Sequence, residues 1–156
     1  MADPYVAGLT MLARRELSEK QVRQRLTRLG HAEDAVAAAI ARLKADGSLD
    51  DARVAGAIAR TETGIRRRGR LRVKQRLSAA GIADAIAERA LDEVFDTLDV
   101  DALISAALEK RLKGRAAPAD RRELARLYRH LTSQGFESER VLRVLRARER
   151  SSAEDA

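Results

Sequence analysis

Apolar residues recur along the chain at steps of three and four, the spacing that lines up side chains on one face of an α-helix. Val6, Leu9, Leu12 and Ala13 make a first stripe, Val22, Leu26 and Leu29 a second, and Val36, Ile40 and Leu43 a third. Strand-like alternation and long β-branched runs are missing, and the two prolines stand at positions 4 and 118, outside every stripe. The pattern therefore predicts helices throughout. Start and stop signals agree with it. Asp3-Pro4 opens the first helix as N-cap and first helical residue. Ser18-Glu19-Lys20-Gln21 has the form of a capping box for the second. Gly30 and Gly47 stand where the second and third helices should exit.

The same three-helix pattern returns twice. With Gly30, Gly81 and Gly135 as anchors, the residues four before are Leu26, Leu77 and Leu131, and those eight before are Val22, Val73 and Leu127. Six after stand Val36, Ala87 and Val141, and ten after stand Ile40, Leu91 and Leu145. Core positions that agree over spacings of 51 and 54 residues mark stacked helical units, none of which can cover its own apolar face alone. The expected fold is all-α: three tandem three-helix, helix-turn-helix-like repeats in an elongated, curved array. The repeats span residues 1–49, 50–98 and 99–150, and residues 151–156 form a polar tail expected to be disordered. In the third repeat Leu103, Ile104, Leu108 and Leu112 form the first stripe, Asp120 and Glu123 read as a capping box, and the last helix is expected to be capped near Ser138.

Composition narrows the function. The chain has no cysteine, which removes disulfides, thiolate chemistry and cysteine-based zinc sites. Four aromatic residues, Tyr5, Phe95, Tyr128 and Phe136, are too few for a base-stacking sheet. The longest apolar run, Ala35 to Ala41, falls far short of the roughly 20 residues that span a bilayer. The N-terminus lacks a basic secretory n-region, so a cytoplasmic protein is expected, with a monomer as the default. His31 and His130 read as structural or surface residues, and Asp50-Asp51, directly before an apolar stripe, as a helix cap. No nucleophile, phosphate loop, metal cluster or cofactor site emerges, so a binding function without catalysis is expected.

Charge points to one place. Between Arg60 and Arg76 lie 8 basic residues and 1 acidic residue, Glu62, which leaves 23 of each sign elsewhere out of 31 and 24. The whole net charge of +7 thus resides in this window. Gly69 stands at the start of a helix there, and cations at a helix N-terminus oppose the macrodipole, so folding does not require them. Free N–H groups at that helix start, together with guanidinium forks, would suit an anion. Arg66, Arg67, Arg68, Arg70, Arg72, Lys74 and Arg76 are accordingly the candidate binding residues. A DNA backbone and an acidic protein surface satisfy those charges equally well.

Three segments carry a resemblance. They are Leu17-Ser18-Glu19-Lys20-Gln21-Val22 through Leu29-Gly30 with Gly47-Ser48-Leu49-Asp50-Asp51 downstream; Arg68-Gly69-Arg70-Leu71-Arg72-Val73 through Gly81-Ile82; and Leu124-Ala125-Arg126-Leu127-Tyr128 leading to Gly135-Phe136. In this order and spacing the chain, from about Leu9 to Leu145, resembles the bacterial RecX regulatory proteins. The resemblance implies tandem three-helix repeats and no catalysis. It also implies binding to the RecA filament on single-stranded DNA, with restraint of its recombination, ATPase and co-protease activities. Val54 departs from the pattern, since family members often carry an aromatic residue soon after the Asp-Asp pair. The alternative from the residues themselves is an autonomous helix-turn-helix protein that binds duplex or single-stranded DNA.

Overall fold

A computed structural model describes residues 2–156. Among them the chain is all-helical, in nine helices: α1 (Pro4–Arg14), α2 (Glu19–Arg28), α3 (Glu33–Ala45), α4 (Asp51–Gly64), α5 (Arg70–Ala79), α6 (Asp84–Phe95), α7 (Val100–Leu112), α8 (Arg121–Ser133) and α9 (Ser138–Glu154). None is long and apolar enough to cross a membrane. The boundaries follow local chemistry. Asp3 accepts a hydrogen bond from the Tyr5 N–H at the start of α1, and Asp50 accepts from the N–H groups of Ala52 and Arg53 at the start of α4. At α9 the first residue is Ser138, and the cap position falls to Glu137 with no side-chain cap bond. That helix also runs on to Glu154, so most of the tail expected to be disordered is helical. Nothing between Ser151 and Glu154 breaks a helix, for neither glycine nor proline occurs there.

Two compact units divide the chain. One comprises residues up to Ala59 with Arg76–Ala90, the other Arg60–Gln75 with Leu91–Ala156. Each helix of the middle repeat therefore contributes residues to both units. The first unit holds a core of Leu17, Val22, Leu26, Val36, Ile40 and Leu43, with Leu9 and Leu12 half-buried against it. The second holds Ile104, Leu108, Leu112, Leu127, Leu131, Phe136, Val141 and Leu145. Three expected core residues are not in the core: Val6 is 51% exposed and Leu29 55%, and Ala13 is exposed as well. Gly8 is the cause on α1. It is buried against α3, where an added Cβ would stand 2.7 Å from Leu43 Cδ1, and this close approach turns Val6 outward.

The anchor glycines do more than end helices. Inside the first unit, the start of α2 meets the end of α5. The Ser18 hydroxyl donates to the Ala80 carbonyl at 2.5 Å and accepts from the Gln21 N–H, while the Ser18 N–H donates to Gln21 Oε1. At Gly81, with φ +84°, a Cβ would meet the Lys20 side chain at 2.6 Å. The second unit repeats the arrangement, with the start of α5 against the end of α8. There the Gly69 N–H donates to the Gln134 carbonyl at 2.8 Å and the Leu71 N–H to the Gly135 carbonyl at 3.2 Å. Ser18 and Gly69 both lie twelve residues before their anchor glycine, so one joint recurs with a hydroxyl in the first case and bare backbone in the second. Ser18 is fully buried. Ser18→Ala is expected to remove the capping box and strand the Ala80 carbonyl, costing about 1–2 kcal/mol. A lower urea midpoint at unchanged m-value would register it.

Candidate functional site

α4 ends at Gly64, and the turn that follows it, residues 65–68, contains no glycine. The N–H groups of Ile65 and Arg66 return to the Thr61 carbonyl, and the Arg68 N–H returns to the Glu62 carbonyl at 2.9 Å. Arg67 takes up the reversal with φ +54°, a conformation that a long side chain adopts at a cost of about 1–3 kcal/mol. The turn places Arg66 and Arg67 beside the second half of α7 and the end of α8. Ile65, Arg66, Arg67, Ala107, Lys110, Arg111, Lys113, His130 and Gln134 line the resulting cleft of about 800 Å³. Five of these side chains are cationic and none is a carboxylate. Among the described residues the Arg67 guanidinium reaches only the Ala106 carbonyl, at 3.5 Å, whereas Arg66 stands 3.5 Å from the nearly buried Glu62 carboxylate.

The seven sequence-predicted residues do not form one patch. Arg66 and Arg67 line the cleft. Arg68 turns inward behind it, half-buried, with its Nε enclosed and without a hydrogen-bond partner. Arg70 pairs with Asp92 at 2.7 Å. Arg72, Lys74 and Arg76 are exposed along α5 and do not line the cleft. Two of the N–H groups at the start of α5, expected to be free, are engaged: those of Gly69 and Leu71 donate to the carbonyls of Gln134 and Gly135. The positive charge of the cleft thus comes from side chains, not from a helix start.

Lys110, Arg111, Lys113 and His130 complete the site, and nothing in the sequence had marked them. Cations in the last turn of a helix ordinarily complement its dipole, so the end of α7 looked unremarkable. His130 sits inside the cationic set. Its Nδ1 lies 3.2 Å from an Arg111 Nη2 that can only donate, which fixes the neutral ring with its proton on Nε2. Burial, then the charges of Arg111 and Arg68, push its pKa down from the ordinary value of 6.5. A histidine with a depressed folded pKa contributes stability above its unfolded value, and that contribution is lost as pH falls through 6.5 toward the folded value. His130→Asn should therefore lose less thermal stability than wild type between about pH 7.5 and about pH 5.5, read as paired melting curves. A phosphate in the cleft opposes the same shift, so anion affinity should rise as the solution is acidified over this range.

Fold and cleft together define an all-helical repeat protein that carries a carboxylate-free cationic cleft in its second unit. Comparison with known proteins gives the family. Models of the first and second three-helix domains of RecX match residues 5–43 and 50–91. The regulatory protein RecX of Acidithiobacillus ferrooxidans is 38% identical over 156 residues, covering 99% of this chain and 97% of that protein. That of Halorhodospira halophila is 36% identical over 136 residues, 86% of this chain and 81% of its own. The crystal structure of RecX from Lactobacillus salivarius matches with a TM-score of 0.77 at 25% identity, over 94% of each chain. The chain belongs to the RecX family of regulatory proteins.

Proposed function

We propose that this protein binds the RecA filament on single-stranded DNA and, without catalysis of its own, restrains the filament's recombinase, ATPase and co-protease activities. The observation that carries the reading is the cleft of Arg66, Arg67, Lys110, Arg111 and Lys113 with no carboxylate in its lining. Of these, Lys110 and Lys113 have no carboxylate partner among the described residues. Folding alone gains nothing from gathering like charges, whereas a phosphodiester backbone or an acidic filament surface neutralises them. An autonomous duplex reader would be expected to dock a helix start, and the start of α5 is already engaged by Gln134 and Gly135.

The test is a filament assay. Purified protein, at amounts well below those that would coat the DNA, should sediment with RecA on single-stranded DNA and slow its ATP hydrolysis. Unchanged hydrolysis at equimolar protein would overturn the proposal. A steeply salt-dependent shift of bare duplex, with no effect on the filament, would establish the DNA-binding alternative instead.

A further inference from the structure

Val6 and Leu29, the two large side chains that helical spacing misplaced, lie in one groove. In the first unit, α1 and α2 enclose a hollow of about 440 Å³, lined by Ala2, Val6, Ala7, Thr10, Met11, Arg14, Arg15, Arg25 and Leu29. Its floor is apolar, and Val6 and Leu29 are two of the five large hydrophobic side chains that the described residues expose. Its charged rim is entirely cationic. Among the described residues, Arg14, Arg15 and Arg25 have no side-chain hydrogen-bond or ion-pair partner, whereas the nearest carboxylates in sequence are engaged elsewhere. Asp3 caps the Tyr5 N–H, Glu16 pairs with Arg53, and Glu19 pairs with Arg23 and Lys44.

We propose that this groove is a docking site for an acidic amphipathic helix of a partner protein. Apolar side chains at positions i, i+4 and i+7 of that helix would cover Val6, Met11 and Leu29, and flanking Asp or Glu residues would meet Arg14, Arg15 and Arg25. The dimensions agree. From Val6 to Arg14 is eight residues of helix, roughly 12 Å, which is the reach of two turns laid alongside. A second copy of this chain is a poor occupant, because it would bring a second cationic rim against the first. Nucleic acid would neutralise the arginines but leave the apolar floor against sugar and phosphate. The adjacent aromatic ring, that of Tyr5, offers no platform for a base, since the Arg42 guanidinium covers it at 3.7 Å. The proposal uses neither the cleft nor the filament reading, and either can fail without the other.

The full chain, labelled with 15N, tests it. The probe is a synthetic helical peptide with leucine at i, i+4 and i+7 and glutamate at the flanking positions, and the control is the same peptide with lysine for glutamate. Saturable amide shifts confined to residues 4–15 and 22–30, seen with the glutamate peptide alone, are the expected result. Leu29→Ser and Val6→Ser change exposed side chains, so the fold should survive them, and each should weaken the peptide by at least about tenfold. Arg14→Glu with Arg25→Glu should transfer the preference to the lysine peptide. The proposal is overturned by no shifts at millimolar peptide, by equal shifts from both peptides, or by shifts elsewhere in the protein. It is equally overturned if an oligothymidylate gives the same pattern, or if the unliganded protein self-associates through these amides.

Discussion

Gly135→Ala is expected to lower the stability of the second unit by about 3 kcal/mol, far more than a methyl group usually does. Two independent costs coincide there. The backbone has φ +99°, a region in which a side chain costs roughly 1–2 kcal/mol. The new Cβ would also stand 2.3 Å from the Arg72 backbone nitrogen and 2.5 Å from Arg72 Cβ. Since the first of these is helix backbone, the neighbour cannot rotate away, and overpacking of this kind costs about 1–3 kcal/mol. Relief requires α5 to move, which breaks the bonds from Gly69 and Leu71 to Gln134 and Gly135. Gly69→Ala attacks the same joint from the other side, with its Cβ 2.4–2.5 Å from Gly135 C and O and Phe136 N. Gly64→Ala is the contrast. It lies at the end of α4 with nothing within 4 Å and no unusual φ, so it should be neutral or stabilise by about 0.4–1 kcal/mol. Urea midpoints of the three variants measure the difference. Equal midpoints for Gly64→Ala and Gly135→Ala would mean that the joint does not support the fold.

That joint explains how much of the fold could be read in advance. Helix periodicity, the caps at Asp3, Ser18 and Asp50, and the recurrence of Gly30, Gly81 and Gly135 are local signals, each settled within a few residues. They yielded the helices and the repeats. Gly69 looked like an N-cap because its neighbours say no more than that. Its demand for an absent side chain comes from Gly135, more than sixty residues away in sequence. Val6 and Leu29 fit their stripes equally well on paper. Only the close seating of Gly8 on Leu43 rotates α1 so that Val6 falls outside the core.

The candidate site was half visible for a related reason. Summing charge along the chain isolates Arg66 and Arg67, but it treats everything outside the window as neutral. Neutral in total is not neutral everywhere. Lys110, Arg111 and Lys113 are balanced in the sum by carboxylates that lie elsewhere, and folding brings these cations to the turn that follows α4. The same count included Arg70, whose charge is met by Asp92 at 2.7 Å. It also overlooked His130, because one histidine without a nearby nucleophile or ligand gives no sign of the company it keeps.

Reversing two charges inside the cleft should therefore matter far more than reversing two on α5, although both pairs would look alike in a charge count. Arg67→Glu with Lys110→Glu is expected to weaken binding to single-stranded DNA or to the RecA filament about a hundredfold, at roughly 1.4 kcal/mol for each reversed charge. If both side chains meet phosphates, the slope of log affinity against log salt should also shrink by about 1.4, or about 0.7 for each phosphate no longer neutralised on a single strand. These positions isolate the effect. Arg67 bonds only a carbonyl, and Lys110 has no partner among the described residues. Arg66, by contrast, neutralises Glu62 at 3.5 Å and Arg111 holds the His130 ring, so their loss would disturb the fold as well. Arg72→Glu with Arg76→Glu removes the same formal charge from outside the cleft. It should change affinity by only the few-fold effect of long-range charge, with most of the salt slope intact. If the α5 pair proved as damaging as the cleft pair, binding would follow net charge alone, and the cleft would lose its claim to the site.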